Sequence, residues 1–142
     1  MRNLCALLVL LALPLAAEKK VVVPPEFAGA NANFSPGILV DGTLYVSGQI
    51  GQDLKTKQVP ADFETEVKTV LGNIGIILKA AGMTYKDVVS VQVYLTDIDL
   101  FARMNAVYVT FFPDPRPSRT TVGVTKLAAA AAHIEVTVTA RK

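Results

Sequence analysis

The chain has one cysteine, one histidine and no tryptophan, and those shortages remove whole classes of chemistry. Cys5 lies in the apolar run from Leu4 to Leu15, so the rest of the sequence carries no thiol. Disulfides, thiolate nucleophiles and cysteine-ligated metals are excluded there. His133 stands alone and cannot assemble a usual zinc site, so neither metal nor cofactor is expected. Charge is sparse too: 14 Lys+Arg against 12 Asp+Glu give a net +2. Nucleic-acid binders concentrate basic residues on one face, and so even a balance offers no such footprint. No glycine-rich phosphate loop opens a helix, which removes the usual nucleotide signature.

What is present points to one packed domain behind a leader. Hydrophobic residues make up 51% and charged residues 18% of 142 positions, which excludes a disordered chain. Met1-Arg2-Asn3 is a short basic start, Leu4 to Leu15 an apolar run, and Ala16-Ala17 precede Glu18-Lys19-Lys20. Residues 1–17 therefore read as a secretory signal peptide, too short for a comfortable membrane span. That predicts a secreted or periplasmic protein with no membrane contact after processing. The alternative is an uncleaved anchor or a mis-called start, the latter leaving the protein cytoplasmic. Residues 18–33, with Pro24-Pro25 and Gly29, read as an extended arm, and residues 34–142 as the domain.

Hydrophobic periodicity sets out the domain's elements. Ile38-Leu39-Val40 and Thr43 to Ser47 flank Asp41-Gly42, a dipeptide suited to a two-residue hairpin turn. Asp62 is placed to cap a helix with apolar residues at Phe63, Val67, Val70, Leu71, Ile74, Leu78 and Ala81, ended by Gly82. Gly72 and Gly75 weaken that helix and predict a close approach to the sheet. Asp87 to Thr96 is a β-branched strand with Val89, Val91, Val93 and Leu95 on one face. Asp97 or Asp99 caps a second helix carrying Phe101, Met104, Tyr108 and Phe111, and Pro113 stops it. Arg119 to Thr125 and Ile134 to Ala140 are the closing strands. In the last, Ile134, Val136 and Val138 face one way and His133, Glu135, Thr137 and Thr139 the other. The order is β-β-α-β-α-β-β, an α+β fold whose two helices cover one sheet face. The other face mixes polar and apolar side chains and is suited to burial against further subunits.

Several segments, in order and at matching distances, resemble the RidA/YjgF family, also called the L-PSP endoribonuclease or translation-inhibitor family. They are Phe34-Ser35-Pro36-Gly37, Leu44 to Gly51, Val59-Pro60-Ala61-Asp62, Asn73-Ile74, Ala80 to Met83, Val93 to Asp97, Phe101 to Asn105, Phe111-Phe112 and Pro117 to Val122. The resemblance implies a chorismate-mutase-like fold, a mixed sheet with two helices on one face, assembled as a homotrimer with active sites in the clefts between subunits. It implies deamination of imines and enamines.

The resemblance also assigns residues. Arg119 corresponds to the arginine that grips the substrate carboxylate in a bidentate fork, which suits guanidinium geometry. The backbone N–H of Thr121 adds a second contact. Ser47 and Gly48 match the Ser-Gly pair lining the pocket, where the hydroxyl orients water or substrate. Asn105 matches a helix asparagine near the site. Phe34 stands where many members carry tyrosine and walls the pocket without a hydroxyl. The main departure is Ile134-Glu135-Val136-Thr137, where hydrolytic members carry a second glutamate at the position of Thr137. Threonine orients water but is no base, and general acid/base catalysis supplies roughly 10² to 10⁴-fold. Glu135 is the available substitute, one strand repeat or roughly 6 to 7 Å away. His133 shares that face and reads as a solvent-exposed residue beside a loop. Two functions follow: hydrolysis of small 2-imino acids to 2-keto acids and ammonia, or non-catalytic capture of small carboxylates by a trimer that lost its water-activating acid. Ribonuclease activity follows only from the family's older name.

Overall fold

The computed structural model describes residues 18–29 and 33–142; the segment read as a signal peptide lies outside them. Its strands are β1 (Lys20–Val22), β2 (Gly37–Val40), β3 (Thr43–Ile50), β4 (Val88–Leu95), β5 (Ser118–Gly123) and β6 (Ile134–Arg141), and its two helices α1 (Phe63–Ala80) and α2 (Phe101–Tyr108). They form one mixed sheet in the order β1-β2-β3-β6-β4-β5. Only β4 and β5 run parallel, joined by the α2 crossover.

The hairpin forms where the turn chemistry places it. Val40 pairs with Thr43, and both Asp41 (φ 48°) and Gly42 (φ 70°) adopt left-handed backbone. Two such residues are what a tight hairpin of this twist requires. The expected five strands gain a sixth: the start of the arm is β1, pairing Lys20 with Leu39 and Val22 with Gly37.

Helix α1 starts at Asp62, whose carboxylate accepts from the Thr65 N–H at 2.8 Å. It ends in a Schellman arrangement: Met83 N–H donates to Leu78 O, Gly82 N–H to Lys79 O, with Gly82 at φ 71°. Its buried stripe meets Leu44, Val46, Val91, Val93, Ile134, Val136 and Val138 from the sheet, with Met104 and Phe112 closing the far side. The two helical glycines have other reasons than the one expected. A Cβ on Gly75 would overlap the hydroxyl of Tyr85, from the 3-10 turn Tyr85–Asp87, whereas Gly72 has nothing within 4 Å. Neither approaches the sheet.

The register of β4 also differs from the alternation expected. A slip between Val88 and Ser90 turns Val88 inward and leaves Val89 half exposed, so the buried row is Val88, Val91, Val93 and Leu95. Helix α2 follows a 3-10 turn capped by Asp97 and stops at Tyr108, short of Phe111. Among the described residues no helix is long and apolar enough to cross a membrane. The uncovered sheet face carries Tyr45 and Val122, 52% and 40% exposed, among threonines and Glu135.

Candidate active site

A bulge in β3 builds the first part of the site. Val46 pairs with Val138 and Gln49 with Val136, so Ser47 and Gly48 together stand opposite the single residue Thr137. The extra residue breaks the strand's alternation, and Gln49 turns inward. The loosened segment is tied down locally. Ser47 Oγ donates to Ser35 O at 2.7 Å, and Thr137 Oγ1 donates to Val46 O. Both hydroxyls expected to arrange water are thus donors to backbone carbonyls, with oxygen lone pairs still open to a third group.

Glu135 fills the space the bulge leaves. Its carboxylate lies where a side chain on residue 48 would be: a Cβ there would overlap Oε1 and sit 3.0 Å from Cδ. Only glycine admits this approach. Partial burial pushes the Glu135 carboxyl above the ordinary glutamate value. The carboxylate lines a cleft of about 550 Å³, together with Phe34, Pro36, Gly48, Leu54 and Lys57. Among the described lining residues Lys57 is the one cation. The structure therefore brings Phe34, Gly48 and Glu135 together, with Ser47 and Thr137 bracing the bulge beside them.

Arg119 and Thr121 stand elsewhere. They pair with Val91 and Val93, which puts them on the helix side of edge strand β5. The Arg119 guanidinium lies 4.4 Å from the Tyr108 ring centroid and 5.6 Å from that of Phe101, an arrangement that holds a cation over aromatic faces. Burial raises the Tyr108 phenol's pKa, and the Arg119 charge works against that rise. Thr121 Oγ1 is buried with no hydrogen-bond partner among the described residues. Asn105 is half-buried on α2, the helix that supplies Phe101 and Tyr108. Strands β6 and β4 separate β3 from β5, so Ser47 and Arg119 are three strand spacings apart, roughly 14 Å. Within one chain they do not meet.

The sequence reading missed one buried acid. Glu66 on α1 is 0% exposed; its carboxylate accepts from His133 N–H at 2.7 Å and lies 2.8 Å from His133 Nδ1. His133 is half exposed as expected but is anchored, not free. The signal was visible in outline: residue 66 falls between Phe63 and Val67 on the apolar stripe, where a charge needs a partner. Among the described residues no group of three or more metal-ligating side chains forms.

A family model described as Endoribonuclease L-PSP matches residues 26–142. The chain belongs to this family. The 2-iminobutanoate/2-iminopropanoate deaminase of Rattus norvegicus is 41% identical over 110 residues, covering 77% of this chain and 80% of the relative. The yjgF gene product of E. coli superposes with a TM-score of 0.79 at 31% identity, over 87% of this chain and 98% of its own. E. coli TdcF, solved with bound serine, gives 0.80 at 29% identity over 87% and 98%. The mixed sheet with two helices is thus the L-PSP family's own architecture.

Proposed function

We propose that this L-PSP family chain hydrolyses small 2-imino acids and their enamine tautomers to 2-keto acids and ammonia, with Glu135 carrying the proton. The observation behind this is the Glu135 carboxylate seated against Gly48 at the cleft wall, together with the likeness to the rat deaminase. In the reaction, water oxygen bonds to the imine carbon while Glu135 removes a water proton. The protonated imine thus becomes a carbinolamine, and the same carboxyl returns the proton to its nitrogen. It then takes the hydroxyl proton as the C–N bond breaks, the C=O forms and ammonia leaves the keto acid. A carboxyl shifted toward neutral pH suits both directions of transfer. Ser47 and Thr137 offer lone pairs to the water, and Phe34 walls the cleft.

The substrate carboxylate needs a cation, and Arg119 lies on the far edge of its own chain. A homotrimer resolves this: Arg119, the Thr121 N–H and Asn105 from one subunit face Gly48 and Glu135 of the next, and the semi-apolar sheet face is buried in the assembly. The same reading keeps residues 1–17 as a signal peptide, 18–33 as an arm and 34–142 as the catalytic domain of a secreted or periplasmic protein.

One observation favours a second reading, a trimer that binds small carboxylates without turnover: Thr137, where the resemblance expects an acid, has its hydroxyl proton committed to Val46 O and has none to give the water. Following 2-iminopropanoate generated in situ separates the two. Accelerated decay, lost in Glu135→Gln, supports the enzyme. Saturable binding of 2-keto acids by calorimetry with no acceleration supports the binding module. Ribonuclease chemistry has no paired histidine to serve it, since His133 is single and held by Glu66.

A further inference from the structure

We propose that Glu66 is a positioning residue for the site: packed against Gly51 just after β3, it bonds the start of β6 through its buried carboxylate and so holds Glu135 in the space beside Gly48. The inference rests on the reading of Glu135 as the proton carrier. Glu66 Oε1 accepts two backbone donors, His133 N–H at 2.7 Å and Ile134 N–H at 3.3 Å. Oε2 lies 2.8 Å from His133 Nδ1. A carboxylate oxygen accepts, and in the tautomer with its hydrogen on Nδ1 the ring makes this contact a third hydrogen bond. On its other side Glu66 packs against Gly51, the residue after β3, where a Cβ would overlap Glu66 Cγ and lie 2.5 Å from its carbonyl oxygen.

One residue thus packs against the position that follows β3 and bonds the first residue of β6; these are the two strands whose meeting forms the site. Gly51 follows Gly48 by three residues, and Ile134 immediately precedes Glu135. Ile134 is the first residue of β6, directly after the alanine-rich loop, and strand ends next to loops open most easily. Two hydrogen bonds at that point fix where β6 begins, and the pleat then turns Glu135 away from the core toward Gly48. An apolar residue at 66 would fit the buried stripe at least as well by hydrophobicity alone. A fully buried acid persists only where its acceptors are engaged, and here three donors engage it.

The deciding measurement is the titration of the Glu135 side-chain carboxyl by carbon-13 NMR in the full chain. In the wild type it is expected above the ordinary glutamate value. In Glu66→Ala it is expected to fall back toward that value as the carboxylate escapes into water, with kcat for 2-iminopropanoate down at least tenfold and KM within about twofold. Glu66→Gln keeps an oxygen for both N–H donors and is expected to retain the wild-type titration and most of kcat. Should Glu66→Ala not melt cooperatively, His133→Ala decides, because its ring is half exposed and its loss frees one carboxylate oxygen. The expected change is in the same direction but smaller. An unmoved Glu135 titration in the folded variant overturns the proposal, as does a Gln variant that behaves like Ala. Wild type without turnover overturns the hydrolase reading alone, because the NMR titration still judges Glu66.

Discussion

Glu135 has its position because residue 48 has no side chain. Gly48 is not in left-handed backbone, so alanine is conformationally allowed there and its only fault is the collision with Glu135. Gly48→Ala is therefore expected to fold, to displace the carboxylate and to lower kcat by about 10² or more, the low end of general acid/base contributions; steady-state kinetics with a thermal melt checks both halves. The raised Glu135 pKa also fixes two pH effects. The acid limb of wild-type kcat/KM is expected to have its midpoint above the ordinary glutamate value. A carboxyl whose folded pKa lies above its unfolded one supports the fold below the unfolded value and loses that support as pH rises through the folded value. Glu135→Gln removes the burial of charge, so its melting temperature is expected to exceed wild type at pH 7. The difference should shrink as pH falls through the raised folded value toward the ordinary glutamate value. A Gln variant less stable at neutral pH contradicts the assignment.

At the scale of elements, the two glycines of α1 make opposite tests. Gly72 has open space around it, so Gly72→Ala is expected to stabilise by roughly 0.5–1 kcal/mol through helix propensity. Gly75 is occupied by the Tyr85 hydroxyl, which donates to Leu71 O at 2.7 Å, and burial raises that phenol to about 12. Gly75→Ala is expected to cost about 1–3 kcal/mol by overpacking, and less in a Tyr85→Phe background where the colliding oxygen is gone. Denaturant melts of the four proteins measure the coupling. These elements also show what a sequence discloses. The Asp41-Gly42 hairpin, the Asp62 start and Gly82 end of α1, and the alternation of β6 rest on local stereochemistry and were legible. The bulge at Ser47-Gly48, the slip at Val89 and the pairing of β1 depend on what the neighbouring strand offers, which no local pattern encodes. The site divides the same way. Phe34, Gly48 and Glu135 could be found by position in a collinear set of motifs. For Glu66 only its place on the apolar stripe was legible; its partners were not, because they lie 67 and 68 residues away.

At the scale of the molecule, one chain carries two groups of candidate residues that its own sheet keeps apart. Glu135 and Gly48 sit at the bulge, while Arg119 lies against Tyr108 at the β5 edge on the helix side. A carboxylate as small as that of 2-iminopropanoate cannot bridge strands separated by roughly 10 Å or more. If the cleft is completed by a neighbour in a closed ring, two inactive variants complement each other. Arg119→Ala contributes an intact Glu135, and Glu135→Gln contributes an intact Arg119. In trimers assembled at random from equal amounts of both, a cleft is wholly native when the first variant supplies its Glu135 wall and the second its Arg119. That holds for about a quarter of clefts, so co-expression is expected to restore about a quarter of wild-type activity from two inactive parents. Tags of different mass verify that mixed species form. Mixed trimers with no recovered turnover mean that Arg119 and Glu135 do not serve a common cleft across the boundary. Lys57, already on the cleft wall beside Glu135, then becomes the cation to mutate.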